Sequence, residues 1–202
     1  MVAKISDLQL AYELKITLLD TKPPVWRWFC VPGEITLDRL HNVIQIVMGW
    51  QDHHLHLFKI DGTIYAEKPE EEWEGEEEKY HRLCDLVTSA KAQFDYDYDF
   101  GDSWHHRIVV EKISTVPEGH KAVTKCFDGK RRCPPEDVGG TPGFAEFVEA
   151  CKDPKHPEHK RYLTWVGGSF DPNDFDPEAV NLELFKYVRW SRPRASEIDL
   201  AE

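Results

Sequence analysis

At 202 residues the chain is long enough to bury a core without staples, and its 41% hydrophobic and 12% aromatic content fits a soluble globular protein. Its 25 Lys and Arg against 37 Asp and Glu leave a net charge of −12, which repels a polyphosphate and argues against a nucleic-acid partner. No stretch approaches the roughly 18 uninterrupted apolar residues of a membrane helix, and residues 1–10 lack a signal-peptide apolar run, so a cytoplasmic protein with no membrane partner is expected.

Residues 8–19 (LQLAYELKITLL) alternate as a strand, with Tyr12, Leu14, Ile16 and Leu18 on one face and Glu13, Lys15 and Thr17 on the other. A turn at 20–24 ends in a double proline that sets an extended exit. Residues 25–31 (VWRWFCV) come next as a second strand, antiparallel to the first; Val25, Arg27 and Phe29 share one face, and Trp26 and Trp28 share the other as an expected core wall, with a ligand platform as the alternative. Residues 36–48 have helical spacing, with Thr36 as N-cap, Asp38 in the first turn and a stripe of Leu37, Leu40, Ile44, Val47 and Met48. Gly49 fits the position that ends this helix. Residues 54–60 (HLHLFKI) read as a strand that projects His54, His56 and Phe58 together, and Asp61-Gly62 is a hairpin signal into a short strand at 63–66.

Residues 67–79 hold eight Glu and two Lys, a net of −6, which is half of the chain's excess charge. Such a block repels itself, so a mobile surface loop is expected, with a docking site for a basic partner as the alternative. Residues 81–91 fit either a helical turn or an irregular lead into the next strand. In residues 94–110 (FDYDYDFGDSWHHRIVV), Phe94, Tyr96, Tyr98 and Phe100 alternate with Asp95, Asp97 and Asp99, which predicts a buried aromatic face and an exposed acidic one. Gly101 and Asp102 supply turn chemistry, and the run from Trp104 returns as the second strand of a hairpin.

Another strand is expected at 121–127. Residues 133–143 (CPPEDVGGTPG) carry three Pro and three Gly and must form an irregular, fixed loop. Thr141 as N-cap and Pro142 at the first position then open a helix with Phe144, Phe147, Val148 and Cys151 on one face. A last helix starts at Asp176 and Pro177 with the stripe Val180, Leu184, Tyr187 and Val188; residues 191–202 are expected to be a disordered tail. Five cysteines without a C-x-x-C pair read as free thiols. Strands on both sides of the first helix, with later helices gathered towards the C-terminus, predict an α+β fold. The expected form is an antiparallel or mixed sheet, helices packed on one side, and a single domain over 1–190.

Four stretches together resemble the plasmid pRiA4b ORF-3-like family, also described as passenger proteins of an insertion element. They are PPVWRWFCVP at 23–32, TLDRLHNVIQIVMGWQDHHLHLF at 36–58, YDYDFGDSWHH at 96–106 and CPPEDVGGTPGF at 133–144. The resemblance implies an α+β fold of the type seen in an archaeal member and a link to mobile elements, but carries no established activity. Some relatives carry a resolvase label. This chain gives it no support, because it has no Ser or Tyr nucleophile set among arginines and its charge is wrong for DNA.

Imidazoles at i and i+2 of a strand, His54 and His56, can chelate one ion, and Asp102, His105 or His106 beside the hairpin turn can complete a Zn or Fe site. Structural histidines of a half-buried sheet are the alternative. Glu136 and Asp137 sit in the fixed loop, either as a general base or ligand aimed at the hairpin or as caps of nearby amides. Arg27, Trp50 and Trp104, with Glu136 and Asp137, outline a candidate pocket for a peptide or small anion, with ordinary packing and a surface arginine as the alternative. These residues support two classes of function: a non-catalytic binding or accessory module for a protein or small molecule, or a metal-dependent hydrolase-like enzyme using the histidines.

Overall fold

The computed structural model describes residues 9–68 and 75–191. Eight strands form one sheet: β1 (Leu10–Leu18), β2 (Val25–Pro32), β3 (His56–Ile60), β4 (Thr63–Ala66), β5 (Gly75–Glu77), β6 (Gln93–Tyr98), β7 (Trp104–Thr115) and β8 (Lys125–Lys130). The helices are α1 (Leu37–Met48), the single turn α2 (Leu83–Leu86), α3 (Gly140–Lys152), α4 (His159–Trp165) and α5 (Pro177–Trp190). The strand order is β5-β4-β3-β6-β7-β1-β2-β8. All neighbours are antiparallel except β4 and β5, which run parallel, so the sheet is mixed and the fold α+β. No helix among the described residues is long and apolar enough to cross a membrane.

Strand alternation decides which face is core. Leu14, Ile16 and Leu18 of β1 lie opposite Val110, Ile108 and His106 of β7, and Phe58 of β3 lies opposite Tyr96 of β6; all are buried, as is Tyr12. Helix α1 covers this face with Leu37, Leu40, Val43, Ile44, Val47 and Met48. It ends as expected on Gly49 in the left-handed conformation, although Thr36 makes no side-chain capping bond. Asp176 does cap α5, accepting from the backbone N–H groups of Glu178 and Ala179.

On β2 the two faces are the reverse of expectation. Val25, Phe29 and the cationic Arg27 point into the core, while Trp26 and Trp28 lie on the open face, Trp28 against Phe127 at 5.0 Å and Trp26 under the Lys15 ammonium at 4.8 Å. Register with β1 forces this, because Arg27 pairs with the inward Ile16.

The hairpin carries two further departures. Asp97 is outward yet only 7% exposed, since Lys59 Nζ at 2.7 Å and His105 Nδ1 at 2.8 Å cover it. Burial alone would raise this carboxyl, but those two bonds hold it below its ordinary value. Asp99, 5% exposed, has left the strand. Its φ of 55° turns the chain back, its N–H donates to Leu55 O, and Phe100 is thereby swung out to 39% exposure.

The acidic segment is also more ordered than its charge suggests. Residues 69–74, and the tail from residue 192, lie outside the described residues. Residues 75–77 pair with β4, and Glu78 is buried, accepting a hydrogen bond from His56 Nε2 at 2.9 Å. Pairing with a strand edge and with an imidazole overrides self-repulsion at this end of the block. The strand expected at 121–127 begins later, at Lys125, and α3 begins at Gly140, two residues before Pro142, with Gly139 instead of Thr141 as its N-cap. All five cysteines are free thiols.

The sheet and α1 are pinned by one buried hydroxyl. Gln45 Nε2 donates to Tyr96 Oη at 3.0 Å, the Tyr96 hydroxyl donates to His41 Nδ1 at 2.9 Å, and His41 Nε2 donates to Asp52 Oδ1 at 2.9 Å. The Asp52 N–H closes the ring on Gln45 Oε1 at 3.0 Å. Burial holds the Tyr96 phenol well above its ordinary value, so it stays a neutral donor. Tyr96→Phe strands His41 Nδ1 and the Gln45 amide in the core. It is expected to lower the urea-unfolding free energy by about 1–3 kcal/mol without changing the far-UV spectrum, and an unchanged midpoint would show that the ring carries no stability.

Candidate functional site

The loop from Cys133 to Gly140 is clamped onto the hairpin turn. Asp102 Oδ2 accepts from the Gly139 N–H at 3.0 Å. Gly140, at φ 66°, lies so close that a Cβ there would stand 2.7 Å from the Asp102 carbonyl oxygen. Asp102 is therefore a fastening for the loop, and it brings Glu136 and Asp137 to the end of the sheet where the chain enters β3.

There His54, just before β3, directs Nε2 at three carboxylates: Asp137 Oδ1 at 3.2 Å, Asp99 Oδ2 at 3.6 Å and Glu136 Oε2 at 3.8 Å. Two of these acids are held by one oxygen and open at the other. Asp99 Oδ1 accepts from the backbone N–H groups of Gly101 and Asp102, at 2.9 and 3.2 Å. Glu136 Oε1 accepts from the Gln51 N–H at 2.9 Å and the Tyr98 hydroxyl at 3.0 Å. The Glu136 side chain is only 8% exposed. Its Oε2 and the His54 Nε2 are buried with no hydrogen-bond partner among the described residues. Asp99 and Asp137 both hold left-handed backbone, with φ 55° and 58°, a conformation that non-glycine residues adopt at a cost and retain where surroundings fix it.

A second group lies along the same cleft, whose volume is about 840 Å³. The rings of His41 and His56 stack in parallel, centroids 3.4 Å apart, with Asp52 on His41 and Glu78 on His56. His41, Asp52 and His56 offer ligand atoms within 4.8 Å of one another. The hydrogen-bond ring through Tyr96, however, places the His41 proton on Nε2, where an ion would have to bind. Burial, with the adjoining His56 ring, holds His41 below its ordinary value. This group is closed by its own hydrogen bonds, whereas the His54 group is open.

The four ligands expected from the sequence, His54, His56, Asp102 and His106, are thus not brought together. His54 precedes β3 instead of lying on it, so the i, i+2 relation to His56 places the two rings in different groups. His106 is wholly buried; its Nδ1 donates to the Tyr96 carbonyl at 3.1 Å and its ring stands edge-on to Trp50 at 5.0 Å. His105 is on the open face with Asp97. Of the pocket residues, Arg27, Trp50, Glu136 and Asp137 do line one cleft of about 670 Å³, but Trp104 is core beneath Trp50. Sequence reasoning missed His41, Asp52, Glu78 and Asp99. His41 was legible: it lies four residues after Leu37 and three before Ile44, on the apolar stripe of α1.

Burial lowers His106 to about 4. The unfolded chain takes up a proton near pH 6.5 that the folded chain refuses, so this contribution to stability is intact above about pH 6.5 and is lost as pH falls towards 4, about 3 kcal/mol in all. His106→Leu, compared with the parent by urea unfolding at neutral and mildly acidic pH, is expected to flatten that loss. Equal slopes would mean that His106 does not titrate across this window.

The chain matches the family model of the plasmid pRiA4b ORF-3-like protein over residues 10–179. It is 39% identical over 191 residues to the uncharacterized protein y4hQ of Sinorhizobium fredii, across 89% of this chain and 94% of that one. A crystal structure of a protein of unknown function, MM3350 from Methanosarcina mazei Go1, superposes with a TM-score of 0.76 at 36% identity, covering 85% of this chain and 97% of that one. With the sheet, α1, the hairpin and the 133–144 loop all inside the matched span, this chain belongs to the plasmid pRiA4b ORF-3-like protein family.

Proposed function

We propose that this protein binds a divalent metal ion through His54, Asp99 and Asp137, with Glu136 beside them, and acts as a metal-dependent hydrolase on a ligand held in the adjoining clefts. The observation that carries the reading is the convergence on His54 Nε2 of three carboxylates, two of them anchored by one oxygen and open at the other. Separations of 3.2–3.8 Å resemble the edge of a tetrahedron, about 3.4 Å, around an ion with bonds of about 2.1 Å. Two carboxylates and one imidazole, with a third carboxylate beside them, suit Mn²⁺, Fe²⁺ or Zn²⁺, because oxygen ligands favour harder ions and the imidazole borderline ones.

Such an ion supplies Lewis acidity, which polarises a carbonyl or phosphoryl oxygen and acidifies water. The chain supplies the rest. Tyr98 and the Gln51 N–H fix the direction of Glu136, whose free oxygen is placed to take a proton from a molecule entering the site. Binding without catalysis is the second reading, favoured by the cleft over Arg27, which needs no metal.

Elemental analysis of tag-free protein, followed by calorimetric titration of chelator-treated protein with Mn²⁺ and Zn²⁺, tests the site. One equivalent is expected in the parent and in His56→Asn, and none in His54→Ala or Asp99→Asn. Tyr98→Phe, which frees Glu136, is expected to weaken binding about tenfold or more. Equal metal in the parent and His54→Ala removes the site. Metal binding without metal-dependent cleavage of simple carboxyl or phosphate esters leaves the second reading.

A further inference from the structure

The cleft of about 670 Å³ to which the Glu136–Asp137 segment contributes is lined by Arg27, Trp50, Arg132, Trp165, Phe170 and Phe175, among others. Arg27 is 2% exposed in its wall. Its Nε donates to Val47 O at 2.7 Å, at the C-terminal end of α1, and its Nη1 donates to Trp26 O at 2.8 Å and Lys130 O at 3.0 Å. These bonds satisfy donors without cancelling the charge: no carboxylate pairs with Arg27 among the described residues. The ring of Phe175 covers one face of the guanidinium, 4.0 Å from its central carbon. What remains is the Nη2 edge, whose N–H groups have no partner among the described residues.

The fold makes room for this stack. Gly129 of β8 lies opposite Arg27, and a Cβ there would stand 2.6 Å from Phe175 and 2.8 Å from Arg27 Cδ. A second cation, Arg132, lies over Phe170 at 4.9 Å. Four acids line the same cleft: Asp176 caps α5, Glu136 Oε1 accepts from Gln51 and Tyr98, Asp137 faces His54 Nε2 at 3.2 Å, and Asp174 is exposed to solvent. A buried cation without a counter-ion is costly, and a ligand that brings the opposite charge removes that cost.

We propose that this cleft binds a small organic oxyanion, a carboxylate or a phosphate monoester, whose charged end pairs with the Nη2 edge of Arg27 and whose apolar body lies against Phe170, Phe175 and Trp165. Guanidinium recognises both anions through the same planar fork, and the aromatic walls select against a bare ion. The Nη2 edge of Arg27 is not part of the His54 group, although Glu136 and Asp137 belong to both surroundings, and the proposal requires no metal there.

Trp50 and Trp165 line the cleft, so tryptophan fluorescence reports occupancy. Chelator-treated protein is titrated with benzoate, phenyl phosphate, benzamide and inorganic phosphate. Saturable binding is expected for benzoate or phenyl phosphate, at least tenfold tighter than for neutral benzamide and for inorganic phosphate; whichever of the two binds more tightly identifies the oxyanion. Arg27→Lys and Phe175→Leu, shown to be folded by circular dichroism, are expected to weaken that ligand at least tenfold. Equal affinity for benzoate, phenyl phosphate and benzamide overturns the proposal. So does unchanged affinity in folded Arg27→Lys, or binding that appears only after metal is restored. If Arg27→Lys does not fold, the comparison of charged and neutral ligands on the parent protein decides.

Discussion

Two tyrosine hydroxyls on the inner face of the hairpin hold this structure in register. The alternation of β6 sends Tyr96 and Tyr98 into the core, where a hydroxyl without partners is costly. Tyr96 meets that requirement with Gln45 and His41 of α1, Tyr98 with the His53 N–H and Glu136. The first set fixes the helix over the sheet. The second fixes the loops on either side of the site. Sheet, helix and both loops therefore share two polar anchors, and the apolar contacts around them fill space that these anchors have already defined.

Satisfaction of polar groups also separates the two histidine clusters. Around His41 and His56 every prominent donor has an acceptor, and the rings stack with a carboxylate on each. Around His54 the same types of residue converge without completing their hydrogen bonds. The difference arises from backbone. Asp99 and Asp137 sit in left-handed turns that aim their carboxylates at a common point, and the clamp between Asp102 and Gly139-Gly140 keeps those turns together.

Two clefts share His53 in their walls, one rich in histidine and carboxylate, the other walled by aromatics around a buried arginine. The Glu136–Asp137 segment lines the second cleft and faces His54 of the first, so the one clamp on Asp102 positions carboxylates for both surroundings. The open face of the sheet, with Trp26, Trp28, Asp97 and His105, has no part in either cleft.

By itself the sequence determined the α+β class, most strands and the main helices, because alternation and helical spacing are local and strong in residues 8–19, 36–48 and 94–98. It also pointed to His54, Glu136, Asp137 and Arg27, each through a chemical type in a constrained stretch. Tertiary structure alone decided which of these meet. Trp26 and Trp28 face outward because pairing with β1 sets the register of β2, a constraint that lies in the neighbouring strand and is invisible in β2 itself. Asp99 joined the His54 group because the strand ends one residue earlier, at Tyr98, and its left-handed φ turns the chain out of the strand and leaves Phe100 exposed. Glu78 is buried because β4 offers an edge to residues 75–77 and His56 offers a proton. In each case a long-range pairing outweighed a local preference, since burying a hydrogen-bonded pair changes the free energy by more than propensity does.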